Sequence, residues 1–151
     1  IEVTIPAGVD TGNQLRLAGK GNAGSNGGPN GDVYIEFNVK SHPIFEREED
    51  DIYLELPITI AEAVLGAKKD VPTLYGTVKL TISEGAMTGD KYRLKGKGVE
   101  HVRSSRKGDM YVIIKVITPK KLSRDQKKLF EQLKKTDLES GNEFKKIKEY
   151  L

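Results

Sequence analysis

Apolar and polar residues alternate with a period of two along most of this chain, the pattern of strands that bury one face. Glu2-Val3-Thr4-Ile5 alternates, Pro6-Ala7-Gly8 breaks the pattern, and Thr11-Gly12-Asn13 turns the chain. Gln14-Leu15-Arg16-Leu17 alternates again and ends at Gly19-Lys20-Gly21. A glycine-rich loop from Asn22 to Gly31 leads into Asp32-Val33-Tyr34-Ile35-Glu36-Phe37-Asn38-Val39, the clearest strand in the chain. Ile52 to Ile58 is a further alternating strand. Ala61 to Leu65 reads as a short helix with Gly66 as its C-terminal cap. Val71 to Leu74 opens a hairpin around Tyr75-Gly76, and strands follow at Val78–Ile82, Lys91–Leu94 and Met110–Ile117. Short strands separated by turn signals predict a mostly β chain, an antiparallel sandwich or small barrel.

The pattern occurs twice. Residues 1–42 fall on residues 78–119 without a gap, an offset of 77, and 14 of the 42 positions are identical. Thr11-Gly12 meets Thr88-Gly89, and Arg16-x-x-Gly19-Lys20-Gly21 meets Arg93-x-x-Gly96-Lys97-Gly98. Gly31-Asp32 meets Gly108-Asp109, and Tyr34 meets Tyr111. Two copies are too few for a solenoid, so the expectation is two tandem β-domains of similar topology. Residues 1–45 read as a truncated first domain, since nothing precedes Ile1 to match residues 51–75; residues 46–119 read as a fuller second domain. The start at Ile1 rather than Met suggests a fragment of a longer protein.

Residues 120–151 change character. Ser123 with Gln126 three positions on makes a capping box. Leu129, Phe130 and Leu133 then share one face of an amphipathic helix. A polar break at Ser140-Gly141-Asn142 precedes a second stretch with Phe144, Ile147 and Leu151 on one face. This tail holds ten Lys/Arg against six Asp/Glu, while the whole chain carries only +3, so the basic excess is local.

Composition removes several chemistries. The chain has no cysteine, which excludes disulfides, thiolate zinc sites and a cysteine nucleophile. No apolar run approaches a membrane span of about 20 residues. The glycine-rich loop joins strand to strand, and no Ser or Thr follows Lys20, so it does not fit a phosphate cradle. His42 and His101 lack a recognisable nucleophile motif beside them, and two isolated histidines make a poor metal site. Glu46, Glu48, Glu49, Asp50 and Asp51 lack the ligand spacing of a calcium loop and read as a solvated hairpin tip. The tail lysines are interleaved with acids and have no aromatic platform, so nucleic acid is not indicated.

What remains is apolar. Leu15 and Leu17 face one side of their strand, and Ile44-Phe45 lies at the exit of the longest strand of the first copy. An open apolar face at a sheet edge accepts an extended peptide by strand addition. The residues alone leave Phe45 two roles, groove residue or filler of the junction between the copies. They also leave open a β-sandwich module binding a folded protein or a glycan.

Several runs carry a resemblance. Ile5-Pro6-Ala7-Gly8-Val9-Asp10-Thr11-Gly12, Leu15-Arg16-Leu17-Ala18-Gly19-x-Gly21, Gly31-Asp32-Val33-Tyr34 and His42-Pro43-Ile44-Phe45-x-Arg47 resemble the carboxy-terminal region of bacterial DnaJ co-chaperones. Leu56-Pro57-Ile58, Glu62-Ala63-x-Leu65-Gly66 and Val71-Pro72-Thr73-Leu74-x-Gly76 continue it. The resemblance implies a non-enzymatic, client-binding fragment of a cytoplasmic heat-shock co-chaperone. Its partners would be unfolded polypeptides and, through a J-domain absent here, a DnaK-type ATP-driven chaperone. It implies no cofactor in this fragment, with zinc held by a module of the full-length protein. It places the client site at Phe45, with Leu15, Leu17 and Ile44 as contributors, and a homodimer contact on Leu129, Phe130, Leu133, Phe144, Ile147 and Leu151. Membrane and specific nucleic-acid partners are not expected.

Overall fold

A computed structural model describes residues 2–151. The strands are β1 (Gln14–Leu17), β2 (Val33–Glu36), β3 (Phe45–Glu48), β4 (Asp51–Thr59), β5 (Ala67–Thr73), β6 (Gly76–Ile82), β7 (Lys91–Leu94) and β8 (Met110–Ile117). Helix α1 (Ile60–Leu65) follows β4, and α2 (Arg124–Lys134) and α3 (Asn142–Lys148) end the chain. The molecule divides into one compact unit running to Ile117 and a second, Thr118–Leu151. Among the described residues no helix is long and apolar enough to cross a membrane.

The first unit is mostly β, as its alternation predicts, and its described residues form three open sheets, none of them a closed barrel. These are β1-β2, β3-β4-β8-β7 and β5-β6. The expectation of purely antiparallel pairing fails at the centre, where β4 and β8 run parallel, from Ile52 beside Met110 to Thr59 beside Ile117. A parallel pair requires a long crossover, and here α1, the β5-β6 hairpin and β7 supply it.

Every second residue of these strands points inward. Ile52, Leu54, Leu56 and Ile58 of β4 meet Met110, Val112 and Ile114 of β8. Val71, Leu80 and Ile82 of the hairpin and Ala63 of α1 complete the core. Burying each of the large aliphatics contributes roughly 1.5–3 kcal/mol. Helix α1 begins with a capping box, in which the Thr59 hydroxyl accepts from the Glu62 N–H and the Glu62 carboxylate accepts from the Thr59 N–H. It ends at Gly66, whose φ of +77° suits glycine.

The repeat is present hydrogen bond by hydrogen bond. Arg16 donates to Asp32 at 2.7 Å while Asp32 accepts from the Gly19 N–H at 2.9 Å; Arg93, Asp109 and Gly96 repeat this at 2.8 and 2.9 Å. Thr11 Oγ1 accepts from the Val39 N–H as Thr88 Oγ1 does from that of Val116, each at 2.9 Å. Gly21 donates to the Gly31 carbonyl as Gly98 does to that of Gly108. The Gly19-Lys20-Gly21 motif is therefore a turn fixed by a carboxylate, in both copies.

The two copies differ in what surrounds them. Residues 2–5, expected as a strand, are not one, whereas their counterpart lies in β6, held along its length by β5. Nothing among the described residues forms a strand beside residues 2–5, so no ladder satisfies their backbone groups. Likewise β2 spans only Val33–Glu36 of the expected 32–39, while β8 runs on to Ile117 because β4 flanks it throughout.

In the second unit, Ser123 caps α2 as its sequence predicts, with the reciprocal Gln126 bond. Helix α3 starts just after Gly141 and stops before Leu151, so the expected run of apolar positions ends at Ile147 and leaves Leu151 beyond the helix.

Candidate functional site

The clearest unspent surface is the inner face of β1-β2. Leu15 pairs with Ile35 and Leu17 with Val33, so these four side chains share one face, with Gln14, Arg16, Tyr34 and Glu36 on the other. All four are only half-buried. Of their counterparts in the second copy, two are core residues, and the other two, Tyr92 and Leu94, are half-buried against that core. Val112 and Met110, which match Ile35 and Val33, are 0 % exposed. The contrast is sharpest at Ile5, 64 % exposed where Ile82 is 2 % exposed. In the second copy Val71, Leu80 and Ile82 of the β5-β6 hairpin share one core with this face. Among the described residues the β2 edge away from β1, where β8 has β4, is also unpaired.

Phe45 opens β3 opposite Leu54 and packs, half-buried, against the core of the second copy. Its ring lies 4.7 Å from that of His42, whose Nδ1 accepts from the Ile44 and Phe45 N–H groups at 3.2 and 3.4 Å. Ile44 is 46 % exposed. The four expected client-site residues therefore divide. Leu15 and Leu17 share one face of the β1-β2 sheet, Phe45 belongs to the four-stranded sheet, and Ile44 stands at the approach to β3. Both histidines serve turns, since His101 Nδ1 accepts from the Arg103 N–H at 3.1 Å.

Arg47 is the functional-looking residue whose partners the sequence did not reveal. Its guanidinium donates to the carbonyls of Gly8 and Val9, both at 2.8 Å, and to that of Glu49 at 2.5 Å. Asp10 at 3.5 Å and Asp50 at 3.8 Å balance its charge. It ties the first copy to β3. Gly8 adds to the same junction, with φ +86° and so little room that a Cβ would collide with the Glu100 carbonyl oxygen. The residues expected as a solvated acidic tip are in part structural, because Asp51 accepts from the Asp109 N–H and the Asp50 carbonyl accepts from Val99.

The electrostatics follow these contacts. The Gly19 N–H, then the Arg16 guanidinium, hold the Asp32 carboxyl below its ordinary range. Gly96 and Arg93 do the same for Asp109. The Lys69 ammonium, then the Thr59 N–H, lower Glu62. Desolvation raises Tyr53 and Tyr75. Among the described residues no three His, Asp or Glu side chains converge as a metal would require.

Residues 1–119 match the family model described as the DnaJ C terminal domain. The chain belongs to that family. As a DnaJ C-terminal domain, it is 54 % identical over 93 % of its length to the "Chaperone protein DnaJ" of Geobacillus sp. (strain WCH70). It is 52 % identical over 98 % of its length to the protein of that name in Parageobacillus thermoglucosidasius. That of Bacillus licheniformis is 51 % identical over 94 % of the chain. The chain spans 38 %, 40 % and 37 % of those proteins' own lengths. The helical tail beyond residue 119 lies outside the family model but largely inside these matches.

Proposed function

We propose that this chain is the client-holding part of a DnaJ-type co-chaperone. It binds extended, apolar segments of unfolded polypeptide without making or breaking a bond. The observation that carries this reading is the half-open face of Leu15, Leu17, Val33 and Ile35, two of which, Val33 and Ile35, match fully buried residues of the second copy. Beside it, the unpaired edge of β2 offers main-chain donors and acceptors to an added strand. An extended client would ladder on that edge and place alternate side chains over the apolar face. The names of the relatives support the chaperone role.

In the longer protein, a J-domain elsewhere in the chain would engage a DnaK-type partner, and zinc would sit in a separate module. This segment itself requires no cofactor and performs no catalysis. Such a protein would work in the cytoplasm. The tail would join two protomers, giving each client two seats and the gain in avidity that follows.

The test is fluorescence anisotropy of a labelled, extended Leu/Phe-rich peptide titrated with the chain and with Leu17→Ser and Phe45→Ala, with circular dichroism checking each fold. Saturable binding that weakens several-fold in Leu17→Ser supports the β1-β2 face as the seat. Wild-type binding unchanged in both variants would sink it.

A further inference from the structure

The outer face of the four-stranded sheet carries a second surface of distinct chemistry. Register sets Glu46, Tyr53, Tyr111 and Arg93 in one row across it, and Glu55, Ile113 and Lys91 in the next. Charge therefore runs from acidic at β3-β4 to basic at β7. In the middle the rings of Tyr53 and Tyr111 stack at 5.2 Å, with the Lys91 ammonium 5.8 and 5.2 Å from their centroids. The basic end is thus already engaged with the aromatic pair.

The acidic end is not. There the segment leading into β3 stands beside the sheet and encloses a cleft of about 380 Å³. Pro43 and Ile44 form one side, and Tyr53, Ile113, Glu46 and Glu55 the other. The wall is preformed, since the His42 ring accepts the Ile44 and Phe45 N–H groups and lies against the Phe45 ring, which anchors in the core. Glu46 forms no ion pair among the described residues, and Glu55 has only the exposed Lys115, at 3.4 Å.

We infer that this cleft is a second polypeptide seat, and that it takes an aliphatic side chain followed two residues later by Lys or Arg. The inference rests on the reading of this chain as a binder of extended polypeptide. Residues i and i+2 of an extended segment face the same way, about 6.6–6.8 Å apart. One such pair sets an aliphatic group between Ile44 and Ile113 and a cation beside Glu46 and Glu55. The methylene stem of that Lys or Arg then lies along the Tyr53 ring, with its charge at the carboxylates. An acidic residue there meets two like charges, which makes the cleft selective as well as attractive.

Two fluorescein-labelled peptides test this on the full chain, Gly-Ser-Leu-Ser-Lys-Ser-Leu-Gly and the same peptide with Glu for Lys. Anisotropy is read for wild type and for the double variant Glu46→Gln, Glu55→Gln, both at low and at high salt. Partly exposed ion pairs predict the Lys peptide binding about five-fold more tightly at low salt. The advantage should vanish in the double variant and shrink at high salt. Equal affinity for the two peptides, or a Lys advantage that survives in the double variant, overturns the cleft assignment while leaving the client-binding reading intact. Failure of wild type to bind either of these, together with the Leu/Phe-rich peptide, overturns both.

Discussion

Asp109 illustrates how much one duplicated residue does. Its carboxylate accepts from the Gly96 N–H and from Arg93, and Asp32 does the same with Gly19 and Arg16. Both carboxyls are held below their ordinary range, as is that of Glu62. A carboxyl whose pKa is lower folded than unfolded stabilises the fold fully above its unfolded value, near 4, and loses that contribution as pH falls through the folded value. Asp109→Asn keeps an acceptor for Gly96 but loses the charge. The variant should unfold at lower urea than wild type at pH 7, with the gap closing below about pH 4; a gap that is constant with pH would mean that the charge is not what stabilises. The identity of Arg16, Gly19 and Asp32 with Arg93, Gly96 and Asp109 was legible in the sequence as a repeat. Their mutual hydrogen bonds were not, because a carboxylate 13 residues past a turn gives no local sign that it returns to it.

The copies share their element order, yet their elements differ in length for reasons set by neighbours. Alternation marked β2 as the clearest strand in the chain, but among the described residues β8 is flanked by β4 and β7 and β2 only by β1. Strand extent reflects pairing as much as pattern. The parallel β4-β8 pair was hidden for the same reason, since periodicity reports the face and not the partner. The junction between the copies is a further contact that only the fold reveals. Arg47, its side chain 20 % exposed, holds the Gly8 and Val9 carbonyls against β3. Truncation should cost about 1.5–3 kcal/mol, the range for hydrogen bonds made by a charged group. In Arg47→Ala, amide exchange at residues 8–13 should accelerate while β4 and β8 keep their protection. Gly8→Ala, which drives a Cβ into the Glu100 carbonyl, should produce the same pattern. Gly85→Ala should not, because its φ of +76° strains the residue but its Cβ site is open. Uniform acceleration across both copies in Arg47→Ala would show that Arg47 supports global stability and is no local clasp.

At the scale of the molecule, the tail shows that a folded element and a completed surface are different things. Helix α2 has its reciprocal Ser123–Gln126 cap, worth about 1 kcal/mol. It is only 11 residues long, and helices shorter than about 12–15 residues are marginal without a surface to pack on. Yet Leu129 is 64 % exposed, Leu133 47 % and Phe130 37 %, and in α3 Phe144 is 43 % and Ile147 66 % exposed. The apolar positions were legible from helical spacing; what covers them was not, because spacing reports a face and not its partner. A second tail is the occupant the proposed dimer requires, and its cover would stabilise both helices. Sedimentation of the full chain across a hundred-fold concentration range should therefore show reversible dimerisation. Phe130→Asp with Leu133→Asp should leave the chain monomeric at every concentration, with α2 less helical by circular dichroism and the β-unit unchanged. Binding of a monovalent apolar peptide to that variant should match wild type, because the β1-β2 face lies outside the tail. Capture of a long unfolded client should weaken, since the seats of one protomer no longer stand beside those of a second. Wild type that stays monomeric throughout, or a double variant that associates as wild type does, would remove the tail from the dimer contact and leave its apolar face for another partner.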